Sequence, residues 1–113
     1  MSGGRNSGSR PRRETPRYRV FVDDNYHFME PGAKRTAGAF GTWEEAVAAC
    51  RRIVDASLAE LVEPGMSAGA LLGKYKMFGD DPYILGEPAP ERFSAWRYAE
   101  RRCPEICGEE AGE

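Results

Sequence analysis

The stretch TWEEAVAACRRIVDASLAELV, residues 42–62, decides the fold. Thr42 and Glu45 have the spacing of a capping box, in which each side chain bonds the backbone amide of the other residue. Apolar residues then recur every three or four positions with charged residues mostly between them, which indicates a long amphipathic helix. We expect this helix to lie across an apolar surface made by other parts of the chain. The predicted inward stripe comprises Trp43, Ala46, Val47, Cys50, Ile53, Val54, Ser57, Leu58 and Leu61.

The segment before the helix predicts a β-hairpin that provides such a surface. Tyr18, Val20 and Val22 share one side of a two-residue alternation, which is typical of a half-buried strand. A second strand is expected over residues 34–40 after a Pro-Gly turn signal, so the two strands would pair antiparallel. Gly38 weakens that second strand and indicates a bulge or a close approach by the helix.

Two shorter helices are predicted after the long one. Ser67 is the expected N-cap of the first, which would end at Gly79 and turn one apolar face inward. Ser94 is the expected N-cap of the second, and Pro104 should end or kink it. The predicted inward residues are Leu71, Leu72, Tyr75 and Phe78 in the first of these helices and Trp96 and Ala99 in the second.

Between these helices, residues 83–85 could add a short third strand, with Asp80 and Asp81 forming a turn ahead of Pro82. The order of elements predicts an α+β domain over residues 17–108. We expect a small antiparallel β-sheet, made of the hairpin plus the short third strand, to be covered on one face by about three helices.

Composition fits one soluble domain, with 113 residues of which 41% are hydrophobic and 30% charged. Residues 1–16 carry a net charge of +3 and are rich in Gly, Ser and Arg, which predicts a disordered basic arm on an acidic body of −5. Residues 109–113 should form a frayed acidic tail.

No membrane association is expected, because no apolar run is long enough to span a bilayer. Three cysteines without a framework spacing favour a reducing, cytoplasmic location.

Four segments in one order carry a resemblance to a known family: YRVFVDDNYHF (18–28), FGTWEEAVAACRRIVD (40–55), YKMFGDDPYI (75–84) and FSAWRYAERRC (93–103). With them the chain resembles a family of small bacterial proteins that forms a domain of unknown function. The likeness covers about residues 17–107. It implies a bacterial protein and implies no activity.

The stretch VDDNYHF, residues 22–28, holds most of the candidate site residues. A buried unpaired carboxylate is costly, so we expect a bulge or tight bend at Asp24 and Asn25. Asp23, Asn25 and His27 would also project from one strand face and could hold a cation. The alternating acids, central glycine and distal glutamate of a calcium loop are missing, so no metal site is predicted.

A second acidic pair, Asp80 and Asp81, allows an enzymatic hypothesis. If it met Asp23 and Asp24 in space, the pKa of one carboxyl group would rise and that group could act as a general acid. A metal-assisted or acid–base enzyme using both pairs and His27 is therefore one alternative. Catalysis is the less favoured class, because the sequence has no nucleophile elbow and no phosphate-binding glycine loop between a strand and a helix.

Cysteine spacing argues against zinc. Cys50, Cys103 and Cys107 with His27 make up a Cys3His inventory, but only CPEIC, residues 103–107, forms a short-spaced pair. Cys50 falls on the inward stripe of the long helix, where a small core residue is expected. We predict neither a zinc site nor another cofactor.

Nucleic acid is a further alternative partner. Arg17, Arg19, Lys34 and Arg35 lie on the predicted hairpin, and the basic arm adds four more arginines. A phosphate-reading domain normally carries net positive charge on its binding face, whereas the body of this chain is acidic. Nucleic acid is therefore the least favoured partner.

The favoured hypothesis is a cytoplasmic binding or adaptor domain without catalysis of its own. Phe21 falls on the strand face opposite the predicted core, and an apolar patch in such a place often marks a partner or dimer surface. This outer strand face and the bend from Asp23 to His27 would bind a protein or a small ligand. The chain would be a monomer or a homodimer.

Overall fold

The structure, a computed structural model, describes residues 17–24 and 35–109. Within these ranges the chain forms three strands and three helices, and the predicted α+β class is confirmed. The strands form one antiparallel sheet in the order β2-β1-β3. The basic arm and residues 110–113 lie outside the described ranges. The elements are β1 (Tyr18–Asp24), β2 (Arg35–Phe40), α1 (Trp43–Leu61), α2 (Ala68–Phe78), β3 (Asp80–Gly86) and α3 (Ala95–Cys107).

The first half of α1 packs on the sheet as the sequence predicts. Tyr18, Val20 and Val22 are buried on one face of β1, so the two-residue alternation is confirmed. Cys50 is fully buried in the same cluster, and the ring of Trp43 meets the ring of Tyr18 edge-on at 5.7 Å between centroids. Burial of each large side chain here contributes about 1.5–3 kcal/mol, so this contact is a main source of stability.

The second half of α1 packs against the other two helices and also binds the start of β3 through Ser57. Val54 and Leu58 are fully buried there. α1 is therefore the central element, because it covers the sheet with one half and supports α2 and α3 with the other. The buried residues of this second cluster are Val54, Leu58, Leu71, Tyr75, Ala95, Ala99 and Cys103.

Each described helix begins at the N-cap that the sequence predicts. The hydroxyl of Thr42 accepts the backbone N–H of Glu45 at 3.1 Å, and the hydroxyls of Ser67 and Ser94 make the equivalent bonds at 3.1 and 3.2 Å. The carboxylate of Glu109 accepts the N–H of Ala68 at 2.9 Å. This residue supplies an acid at the N-terminus of α2, whose own first turn has none.

Helix α3 differs from the prediction in two respects. Trp96 does not face inward, because its side chain is 42% exposed and the ammonium of Lys76 lies 5.2 Å from its ring. Ala99 is buried as predicted, and it forms an inward face of small residues with Ala95 and Cys103 at four-residue spacing. Of the two effects predicted for Pro104, an end or a kink, the end is wrong, because the helix runs on to Cys107. In α2, Phe78 is likewise 45% exposed rather than packed inward.

Strand β3 is longer than predicted, and the expected turn at Asp80 and Asp81 is wrong because both residues pair with β1. Pro82 is compatible with a strand here because β3 is an edge strand, where one side of the backbone needs no partner. The N–H of Asp80 is bound by the hydroxyl of Ser57 at 2.9 Å, and its C=O accepts the hydroxyl of Tyr75 at 2.5 Å. Two helices therefore hold the start of β3.

Glycine 79 allows this arrangement. A Cβ atom on Gly79 would lie 2.2 Å from Cδ1 of the Tyr75 ring, so any larger residue would displace that ring and its hydroxyl. Burial raises the pKa of Tyr75, which keeps the hydroxyl a proton donor. The turn between α2 and β3 is thus built around one buried phenol.

Strand β2 carries the bulge that Gly38 indicates. Val20 pairs with Gly38 and Phe21 with Thr36, so Ala37 is an extra residue in the ladder. Gly38 has φ of 154°, a conformation that favours glycine. The bulge alternative of the sequence analysis is confirmed.

Removal of the Tyr75 hydroxyl tests whether its hydrogen bond to Asp80 stabilises the start of β3. We expect Tyr75→Phe to lower the free energy of unfolding by about 1–3 kcal/mol, because a part-buried carbonyl loses its partner. Tyr98→Phe is the control, since the Tyr98 hydroxyl bonds the Asp55 side chain, which Arg102 also binds. Urea unfolding measures both variants. Equal losses in the two would contradict the assigned role of Tyr75.

Candidate functional site

The two acidic pairs meet at one end of the sheet. Asp23 is the direct cross-strand partner of Asp81, and Asp24 is that of Asp80. Side chains directly opposite each other on antiparallel strands have Cβ atoms about 5 Å apart. The two acidic pairs are therefore neighbours, as the enzymatic hypothesis requires, but they lie in strands and on both faces of the sheet. Asp23 and Asp81 share the outer face, whereas Asp24 and Asp80 share the helix-covered face.

The carboxyl group of Asp81 has a perturbed pKa. Its pKa is raised to about 6, first by burial and then by the negative charge of Asp23. The residue also lines a cavity of about 300 Å³ together with Tyr83 and the start of α3. A carboxyl group of this kind exchanges protons near neutral pH, which is what a general acid or a pH-sensitive binding residue requires.

Asp80 is engaged in structure rather than exposed for chemistry. Its carboxylate accepts a hydrogen bond from the Arg35 guanidinium at 2.9 Å. Arg35 and Asp80 lie on the two edge strands, so this pair connects them across β1 on the helix-covered face. With side chains 54% and 31% exposed, the ion pair contributes only about 0–1 kcal/mol.

The outer sheet face carries an apolar strip, which comprises Phe21, Tyr83 and Leu85. The rings of Phe21 and Tyr83 stack at 5.8 Å between centroids with an angle of 28° between their planes. Leu85 lies opposite Arg19 and is 54% exposed. Phe21 is predicted from the sequence as a surface residue, whereas Tyr83 and Leu85 are not. The alternation of residues 81, 83 and 85 indicates that they share one strand face. It does not show which face, because that depends on how β3 pairs with β1.

Several residues named from the sequence cannot be placed at this site. Asn25, His27 and Lys34 lie outside the described residues. β1 continues through Asp24, so the predicted bend at Asp24 and Asn25 falls where the described range stops.

The arginines of the nucleic-acid hypothesis do not share one surface. Arg19 lies on the outer sheet face, whereas Arg35 lies on the opposite face and pairs with Asp80. Arg17 precedes β1 and is exposed. The described members of this group, Arg17, Arg19 and Arg35, therefore do not form one binding face.

The cysteines belong to the two cores. Cys50 packs in the sheet-side cluster, whereas Cys103 packs among the three helices. Burial raises the pKa of Cys50 to about 12 and that of Cys103 to about 11, so both thiols stay protonated at neutral pH. Within residues 17–24 and 35–109, no three His, Cys, Asp or Glu side chains are grouped so as to hold a metal ion.

Comparison of the chain with protein-family models, with curated proteins and with solved structures found no match. The resemblance to a small bacterial family therefore stays a prediction. None of the helices in the described ranges combines the length and the apolar character needed to traverse a bilayer.

The raised pKa of Asp81 predicts a measurable pH dependence. Because the folded chain binds this proton more tightly than the unfolded chain, stability is gained as the pH falls from above 6 towards 4 and is lost as it rises again. Asp81→Asn should lack this dependence and should be more stable at pH 7 by about 1 kcal/mol, because solvent screens this part-exposed group and reduces the full effect of the shift. Urea unfolding at several pH values measures it. Glu60→Gln, on an exposed part of α1, is the control, and parallel profiles for Asp81→Asn and the wild type would contradict the prediction.

Proposed function

We propose that this protein is a small binding domain that uses the outer face of its sheet to bind a segment of another protein. The observation that carries this proposal is the apolar strip on the sheet face turned away from α1. Leu85, at one end of the strip, is 54% exposed although it is a large apolar residue. Apolar side chains gathered on one sheet face are a common feature of partner surfaces.

The apolar strip has a positive charge at one end and negative charges at the other, so a partner can bind in only one orientation. Arg19 lies beside Leu85, whereas Asp23 and Asp81 lie beyond the stacked rings at the other end. A complementary partner would place apolar side chains on the strip and a basic group near the two aspartates. Such a basic group would lower the pKa of Asp81 and favour its charged form.

The setting of this activity is proposed from the sequence. The resemblance to a small bacterial family and the free cysteines are compatible with a cytoplasmic bacterial protein. The domain would act as a monomer or as a homodimer. A second copy could use the same face, since two identical faces related by twofold symmetry can pair.

A charge placed on the strip tests the proposal. We expect Leu85→Glu to remove capture of partner proteins from the cytosol of the source cells, because burial of an unpaired carboxylate is costly. Met77→Glu is the matched control, since Met77 is 60% exposed on α2 and lies outside the strip. Quantitative mass spectrometry compares the captured proteins. Partners retained by Leu85→Glu, or lost equally with Met77→Glu, would contradict a role for this face.

Acid–base catalysis is a second candidate function, favoured by the meeting of the two acidic pairs beside a cavity. Asp81 would be the proton donor. Incubation of the protein with a small-molecule extract of the source cells should then change the amount of at least one metabolite, and Asp81→Asn should abolish that change while Glu60→Gln preserves it. An extract unaltered by the wild-type protein would argue against this candidate.

A further inference from the structure

A groove lies between the first half of α1 and the segment that leads into α3. It encloses about 410 Å³, which is within the usual range of small-molecule sites. Arg51 and Trp43 line it from α1, and residues 91–94 line it from the connecting loop. The first turns of α3 complete its wall. Neither the residues of the apolar strip nor the four aspartates line the groove, although Arg92, Phe93 and Ser94 also line the cavity beside Asp81.

The lining of the groove is basic in a protein that is acidic overall. Four arginines contribute to it against two glutamates, whereas the whole chain has a net charge of −2. Arginine is the side chain best suited to phosphate, because its planar fork donates two parallel hydrogen bonds. The four residues are Arg51, Arg92, Arg97 and Arg101.

These arginines keep their donors available. The ion pairs within the described ranges use Arg35, Lys74 and Arg102, and none of the groove arginines takes part in one. Arg102 shows the contrast, since it follows Arg101 in α3 and pairs with Asp55 at 2.9 Å. Arg102 is thus ion-paired beside the groove, whereas Arg97 and Arg101 of α3 line the groove without an ion pair to any described residue.

Tyr98 orients two of the arginines. The guanidinium carbons of Arg51 and Arg101 lie 5.5 and 5.4 Å from the centre of its ring, within the distance of a cation–π interaction. The Tyr98 hydroxyl donates to Asp55 at 3.0 Å, which fixes the ring. Two cations beside one ring repel each other, and an anion bound by these arginines would offset that repulsion.

The start of α3 adds to the positive potential. Its N-cap Ser94 lines the groove, and its first turn contains no acidic residue. In α1, by contrast, Glu44 and Glu45 occupy the first turn. The amide groups at the N-terminus of α3 therefore keep their partial positive charge next to the arginines.

An aromatic wall faces the arginines. Trp43 and Phe93 both line the groove and are half-buried, so their outer surfaces can meet a flat apolar group. We propose that the groove binds a small organic phosphate, with the phosphate held by the arginines and the organic group packed against Trp43. This site is independent of the proposed partner surface.

Fluorescence of Trp43 provides the binding assay. Trp96→Phe in the full chain leaves Trp43 as the remaining tryptophan, since the chain has two. The probes are phenyl phosphate, inorganic phosphate and phenol. We expect phenyl phosphate to quench the emission and to bind at least tenfold more tightly than either fragment, because only phenyl phosphate meets both walls. Absence of binding by millimolar phenyl phosphate would overturn the proposal, and equal affinity for inorganic phosphate would overturn the role of the aromatic wall.

Adjacent arginines supply a matched pair of variants. Arg51→Gln should weaken binding of phenyl phosphate about tenfold or more, because one charge-assisted hydrogen bond is lost. Arg52→Gln makes the same change of charge at an exposed residue that does not line the groove, so it should leave affinity unchanged. Arg97→Gln repeats the test from α3, and thermal unfolding checks that each variant is folded. Equal losses in Arg51→Gln and Arg52→Gln would show an unspecific charge effect and overturn the site.

Discussion

The described architecture depends on how the backbone of Asp80 is held. Ser57 of α1 binds its N–H and Tyr75 of α2 binds its C=O, so two helices together fix the residue at which β3 begins. That position sets the pairing of β3 with β1, since a shift by one residue would turn every side chain of β3 to the opposite face. The meeting of the aspartates and the stack of Phe21 on Tyr83 both follow from this pairing.

Sequence patterns predicted those helices and strands in which the local conformational preference agrees with the packing in the folded domain. In α1 the capping box, the inward stripe and the Pro-Gly end all indicate the same helix, and the structure gives Trp43–Leu61. β1 was predicted with its correct buried face because its alternation is uninterrupted. β3 was predicted too short, because Asp80, Asp81 and Pro82 are turn formers when taken alone. Hydrogen bonds from distant parts of the chain outweigh that preference.

The candidate site was predictable only in part, for a related reason. Phe21 follows from the face of one strand, which its own neighbours in sequence reveal. Tyr83, Leu85 and the contact between Asp23 and Asp81 depend on the register between two strands that are far apart in sequence. In α3, the large Trp96 suggested an inward face, yet the close packing of three helices admits the small residues Ala95 and Ala99 there.

The bulge in β2 has a consequence for solubility. Among the described strands β2 lies at an edge of the sheet, and an exposed edge can recruit the same strand of another molecule and extend into fibrillar aggregates. The extra residue Ala37 and the glycine conformation at position 38 disturb the regular spacing of the outward-facing amides and carbonyls. A second strand would find no continuous ladder to join, so this irregularity protects the domain against uncontrolled polymerisation.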